Sequence, residues 1–263
     1  GLRWCLPGGP GGSGWGKAQK YCSKGASVML AGSEGDGLSW AADRLKSQYG
    51  QDVVRAVVMN ATSEADIAAA FQTTVLEYGG LDIVVSNAGI ASSAPIEETT
   101  LELWNKNFDI LSTGYFLVSR AAFSTMRAQS LGGTVVFVAS KNGLAASPNA
   151  SAYCTAKAAE IHLARCLALE GADLGIRVNV VNPDAVLKGS KIWEGDWLEQ
   201  RALTYKTDKD GLEEMYRNRS LLKKSVLPDD IAEAAYFFAS DLSEKSAGNI
   251  LNVDAGNKEA FTR

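Results

Sequence analysis

The sequence predicts a doubly wound α/β domain built on a parallel sheet. Three observations lead there. Short runs rich in β-branched residues recur along the chain, and amphipathic helical stretches separate them. Most of the runs are continuously apolar rather than alternating, the pattern of strands covered on both faces. Strand–helix–strand units joined by right-handed crossovers give a parallel sheet with helices on both sides. No break in composition divides the 263 residues, so residues 1–263 read as a single domain.

Taken in order, the first candidate strand, GLRWCL, is weak because Arg3 interrupts it. SVMLA (27–31), DVVRAVVM (52–59), LDIVVSNAG (81–89), GTVVFVAS (133–140), IRVNVVNP (176–183) and NILNVDAG (249–256) complete a sheet of seven strands. Helices are expected over about 37–49, 64–78, 101–128, 151–172 and 228–240. Ser63 and Asp66 form a variant of the capping box at one helix start, and Pro228 suits the first turn of another. WGKAQKYCSKG, after the first strand, makes a weak helix for a position facing the core. Residues 187–222 form a polar excursion between the last two strands, read as one or two helices with a loop around Thr207–Gly211. So long an insert at a sheet edge reads as a lid or binding loop.

Composition narrows the function classes. Hydrophobic residues make up 46% and charged residues 21%, ordinary for a globular domain with a sizeable core. The net charge of −4 argues against a nucleic-acid partner, whose binding surfaces are basic. No apolar run reaches the ~18–20 residues of a membrane span. The four cysteines show no CxxC pairing and the single histidine, His162, has no ligand partner at metal spacing, so no metal is expected. His162 lies nine positions beyond Tyr153 and reads as structural. With no signal peptide in view, a cytoplasmic setting with reduced thiols is expected.

The chemistry concentrates at Tyr153-Cys-Thr-Ala-Lys157, with Ser140 at the end of a strand thirteen positions earlier. Positions i and i+4 share a helix face, so the Lys157 ammonium is expected near the Tyr153 phenol, drawing its pKa down. Such a phenol exchanges a proton with an alcohol or carbonyl oxygen, and the Ser140 hydroxyl holds that oxygen. At the other end of the chain, LPGGPGGSGWG places Gly8, Gly12 and Gly14 where a backbone can approach a pyrophosphate at a helix N-terminus.

With Asn87-Ala88-Gly89, Ser140, Tyr153, Lys157, Pro183 and the ending GNILNVDAG, the sequence resembles the short-chain dehydrogenase/reductases over nearly its whole length. The resemblance implies a Rossmann-like fold and an oxidoreductase. Tyr153 would be the acid–base, Lys157 would bind the nicotinamide ribose, and Ser140 would orient the substrate oxygen. Gly8, Gly12, Gly14, Asn60, Asn87, Ala88, Gly89, Pro183 and Val186 would line the cofactor cleft. Val186 would meet the nicotinamide carboxamide through its backbone. Members commonly form dimers or tetramers through the two long helices, here 101–128 and 151–172.

Within that family, ETTLELWNKNFDILSTGYFLVSR, VASKNG, NVVNPDAVLKGSKIW and DIAEAAYFFASD resemble the dehydrogenase domain of rhamnulose-1-phosphate aldolase/lactaldehyde dehydrogenases. This implies a small hydroxy-aldehyde such as lactaldehyde as substrate, a place in rhamnose breakdown, and an aldolase domain upstream in the full-length protein.

The sequence departs from the family in several places. Pro7 replaces the Thr of the phosphate loop, Pro10 removes a donor inside it, and Ser13 replaces an Ile that packs beneath it. After the second strand stands Gly32-Ser33-Glu34, with neither the Asp that binds the ribose 2′-hydroxyl nor an Arg for a 2′-phosphate. The negative charge of Glu34 and Asp36 favours NAD over NADP. Asn60 stands where an Asp commonly meets the adenine. Leu111 aligns with the relay Asn, leaving Asn107 and Asn142 as candidates for its role. Trp193 and Trp197 either close over substrate or anchor the insert. Lys141 and Asn142 either touch substrate or are solvated loop residues. Two other readings stand beside the first: a non-catalytic scaffold with an impaired phosphate loop, and an NADPH-dependent polyol or 3-oxoacyl reductase.

Overall fold

A computed structural model describes residues 3–7, 13–187, 193 and 196–261. Seven strands are seen: β1 (Arg3–Pro7), β2 (Ser27–Gly32), β3 (Val54–Val58), β4 (Ile83–Ser86), β5 (Gly133–Val138), β6 (Ile176–Pro183) and β7 (Ile250–Val253). They pair in parallel in the order β3-β2-β1-β4-β5-β6-β7. The chain winds outward from β1 in one direction, returns, and winds from β4 in the other. The switch point therefore lies between β1 and β4, where open α/β sheets bind ligands at the carboxyl ends of their strands.

Helices cover both faces. On one side lie α1 (Ser13–Ser23), α2 (Gly35–Tyr49) and, far later in the chain, α9 (Pro228–Ala239). On the other lie α3 (Glu64–Tyr78), α4 (Leu101–Phe108), α5 (Gly114–Gln129) and α6 (Ser151–Gly171). The strands divide their side chains between the two cores. Ile83, Val85, Val136 and Val138 face the first, while Val84, Val135 and Phe137 face the second. Each fully buried Val or Phe contributes about 1.5–3 kcal/mol, so continuous apolar runs are what a two-faced sheet demands.

Ser63 caps α3, its Oγ accepting from the Asp66 N–H at 3.2 Å, and Pro228 opens α9. The expected helix over 101–128 is instead two helices joined by a π turn, Asp109–Thr113. Gly114 just after it packs so closely that a Cβ there would lie 3.2 Å from the Ala61 carbonyl oxygen. The π turn places Leu111 fully inside. In the insert, α7 (Asp196–Thr204) and α8 (Lys209–Arg219) are joined by a shorter loop than expected. Gly211 lies inside α8, because the Asp208 carboxylate accepts its N–H at 2.8 Å and starts the helix early.

Arg3, which weakened the first strand on paper, ties it down. Its backbone N–H and Nε reach Asp82 Oδ2 at 2.8 and 2.9 Å, and Nη2 reaches Oδ1 at 2.6 Å. Burial works to raise the Asp82 carboxyl, but the hydrogen bonds from Arg3 override it and hold the carboxyl below its ordinary value. A carboxylate with a depressed folded pKa stabilises the fold above its unfolded pKa and loses that stability as pH falls through the folded value. Asp82→Asn is therefore expected to cost about 1 kcal/mol at pH 7. Thermal melts of the two proteins should converge below about pH 3.

Candidate active site

The carboxyl ends of the strands open into a cleft of ≈ 360 Å³. It runs from Gly32, Ser33 and Glu34 beyond β2, past Asn60 beyond β3 and Asn87-Ala88-Gly89 beyond β4, to Ser140, Tyr153 and Lys157. Pro183 and Val186 close it on the β6 side. Of the residues read from the sequence as a cofactor site, Gly8 and Gly12 lie outside the described residues. Gly14 is buried in the first turn of α1. The rest line this one cleft, which fits an elongated dinucleotide: a carboxylate at one end, backbone-rich turns in the middle, and hydroxyl and ammonium groups at the other.

Ser140 leaves β5 and caps a 3-10 turn, Lys141–Gly143, its Oγ accepting the Asn142 N–H at 3.2 Å. The hydroxyl proton is thereby left to donate elsewhere. Tyr153 and Lys157 stand one turn apart on α6, both buried. Tyr153 packs in an apolar cluster with Leu111, Cys154, Ala156 and Trp197, its ring 5.6 Å from that of Trp197.

One correction to the sequence reading follows. The Tyr153 phenol is not drawn down: burial pushes it up, a hydrogen bond with Ser140 works the other way, and the Glu160 charge adds to the rise. The Lys157 ammonium is committed to Glu160, at 2.8 Å to Oε1 and 3.0 Å to Oε2.

Of the two readings open for Lys141, the structure removes one. Lys141 is no solvated loop residue but 3% exposed, its Nζ 3.1 Å from the Ser147 Oγ. Burial pushes its pKa down. Ser147 in turn donates to Asn142 Oδ1 at 2.9 Å. Of the two relay candidates, Asn142 lines the cleft. Asn107 is buried on α4, donating to Ser92 Oγ and the Leu103 carbonyl, each at 2.8 Å.

The insert supplies an aromatic wall. Trp193, Trp197 and Tyr216 line the cleft, with ring centroids 5.8 Å apart for the two tryptophans and 5.6 Å for Trp193 and Tyr216. The two tryptophans line the cleft and also pack the insert. Buried Arg201 fastens α7 to the loop before α6, donating to the Pro148 carbonyl at 2.7 Å and the Tyr205 hydroxyl at 2.6 Å. His162 faces solvent.

Sequence reasoning missed three features. Lys17 of α1 is fully buried, its Nζ 2.8 Å from Asn87 Oδ1, and burial pushes its pKa down to about 7. Asp184, at the cleft's rim, is held by Arg219 at 2.6 and 2.7 Å and by Asn257 at 3.0 Å. Glu160 is the third; its i+3 spacing from Lys157 was the available signal. Among the described residues no helix is long and apolar enough to cross a membrane.

Comparison with known proteins adds a lineage. The family described as enoyl-(acyl carrier protein) reductase matches residues 10–258. The chain is 48% identical over 258 residues to an uncharacterized oxidoreductase, YuxG, of Bacillus subtilis, covering 98% of this chain but 37% of that protein. It thus spans well under half the length of that relative. It is 32% identical to an NADP-dependent (R)-specific alcohol dehydrogenase of Lentilactobacillus kefiri, covering 95% of this chain and 94% of that one. Among solved structures it resembles sorbitol-6-phosphate 2-dehydrogenase SrlD from Erwinia amylovora, with a TM-score of 0.92, 26% identity, and 98% and 100% of the two chains covered.

Proposed function

The chain belongs to the short-chain dehydrogenase/reductase family and is an enzyme of that type, and from that premise we propose that it interconverts a small alcohol or hydroxy-aldehyde and its oxidised counterpart. The observation that carries the proposal is the convergence of Ser140, Tyr153 and Lys157 at one end of a dinucleotide-shaped cleft. A nicotinamide cofactor bound there supplies hydride uptake and return.

The chain's own residues do the rest. Ser140, its Oγ already accepting from the backbone, donates to the substrate oxygen and sets its position. Tyr153 takes the alcohol proton or gives it back. Lys157 holds the ribose side of the nucleotide. Asn60, Asn87, Ala88, Gly89, Pro183 and Val186 line its path, and Gly8, Gly12 and Gly14 are the residues we assign to its pyrophosphate. The wall of Trp193, Trp197 and Tyr216 excludes water and limits the substrate to a small one. We favour NAD, since Glu34 in the cleft opposes a 2′-phosphate.

The substrate we propose is lactaldehyde-like, from rhamnose breakdown. The greater length of the Bacillus relative is compatible with an aldolase unit in the same polypeptide. A homotetramer built on α4–α5 and α6 is the assembly we propose, in the cytoplasm.

The test is titration of the chain with NADH and NADPH, read by energy transfer from its tryptophans. Saturable NADH binding in the micromolar range, weaker for NADPH, is the expected result. Tighter NADPH binding would shift the reading to an NADPH-dependent reductase. Binding of neither by a folded chain would overturn it. Lactaldehyde turnover then tests the substrate.

A further inference from the structure

The ion pair of Lys157 and Glu160 is sealed inside the protein, the two side chains 4% and 0% exposed. Both carboxylate oxygens lie within hydrogen-bond distance of one ammonium. A unit charge held 3 Å from another in a weakly polarisable interior cancels much of its field on neighbours. The neighbour that matters is the Tyr153 phenol, one turn back on α6. We propose that Glu160 is a positioning residue of this enzyme: it anchors the Lys157 ammonium beside the cleft and withholds part of its charge from Tyr153.

The surroundings leave Glu160 as the dominant control. Leu111, turned inward by the π turn, makes that side of the phenol apolar. Among the described residues, the titratable groups facing the pair are Tyr115 of α5, whose ring lies 5.4 Å from Lys157 Nζ, and Tyr153 itself. Cys154 of α6 and Tyr216 of α8 also face the phenol. Lys141, from the 3-10 turn packed on α6, turns its ammonium to Ser147. Tyr115 hydrogen-bonds the Ala88 and Val138 carbonyls, and burial keeps it neutral. Among the described residues, Glu160 is therefore the acidic group able to change charge here near neutral pH: burial pushes it up, to about 8, against the pull of Lys157. While Glu160 is protonated, Lys157 favours the phenolate; once it ionises, phenolate formation is opposed.

The inference rests on Tyr153 as the acid–base group, so its test reads the phenol directly and without turnover. Phenolate absorbance of the full chain is titrated with pH in wild type and Glu160→Gln, each corrected by its Tyr153→Phe counterpart to isolate one of eight tyrosines. Removing the negative charge should shift Tyr153 ionisation about one pH unit lower, a tenfold rise in phenolate at a fixed pH above that at which Glu160 ionises. Should Glu160→Gln fail to melt cooperatively, Glu160→Asp draws the carboxylate back by one methylene and should give a smaller shift in the same direction. An unmoved or raised Tyr153 titration in whichever variant is folded overturns the inference. A shifted phenol in a chain without dehydrogenase activity would sustain it and sink the proposed reaction instead.

Discussion

Tyr153→Phe should lower kcat for alcohol oxidation by about 10³-fold while leaving NADH affinity within about twofold. The substitution removes one oxygen and leaves the ring. That ring stays in its cluster with Leu111, Ala156 and Trp197, so the fold loses little. Ser140 keeps its bond from the Asn142 N–H, and Lys157 keeps Glu160, so neither is left a buried orphan. What disappears is the group that exchanges a proton with the substrate oxygen. With that proton left to water, the cleft retains only positioning by Ser140 and the nucleotide. Steady-state rates at saturating nucleotide, beside an NADH titration, measure both halves. A loss of less than tenfold in kcat would mean that Tyr153 is not the acid–base group.

Gly143→Ala should cost both stability and activity, because the 3-10 turn carrying Ser140 rests directly on α6. A Cβ at Gly143 would lie 2.6 Å from Ile161 Cδ1 and 2.7 Å from the Lys157 carbonyl oxygen. The Ile161 terminus can rotate away. The carbonyl belongs to a helix turn and cannot, so the turn itself must lift, taking Ser140 away from Tyr153. Overpacking of this kind costs about 1–3 kcal/mol. A displacement near 1 Å at a positioning group costs about 10²-fold in rate. Melting temperature and kcat/KM read the two effects. The matched control is Gly35→Ala, where the nearest atom, Val58 Cγ2, sits at an ordinary 3.5 Å. That variant should melt and turn over like the parent, and a loss equal to that of Gly143→Ala would remove the steric explanation.

Both expectations depend on residues whose roles were legible to different degrees. The spacing of Ser140, Tyr153 and Lys157 was readable because one strand end and one helix turn suffice to bring them together. The closeness of Gly143 to α6 was not, since it depends on how a turn docks against a helix that follows it. The inner strands announced themselves through continuous apolar runs. β1 did not, because its apolar character is broken by Arg3, whose partner Asp82 lies 79 positions away. The helix over 101–128 read as unbroken because its apolar spacing barely changes through the π turn, although that turn decides what faces Tyr153.

By itself, then, the sequence determined the alternation of strands and helices, the two-faced sheet and the meeting of Ser140, Tyr153 and Lys157 in one cleft, all features written in short spacings. The tertiary structure decided the charges. It buried Lys17 and Lys141, which look on paper like solvent-facing residues. It closed Glu160 onto Lys157 and so altered the environment expected for Tyr153. The reason is physical: a periodicity is a local property of the chain, whereas the cost of a charge depends on what distant segments place around it.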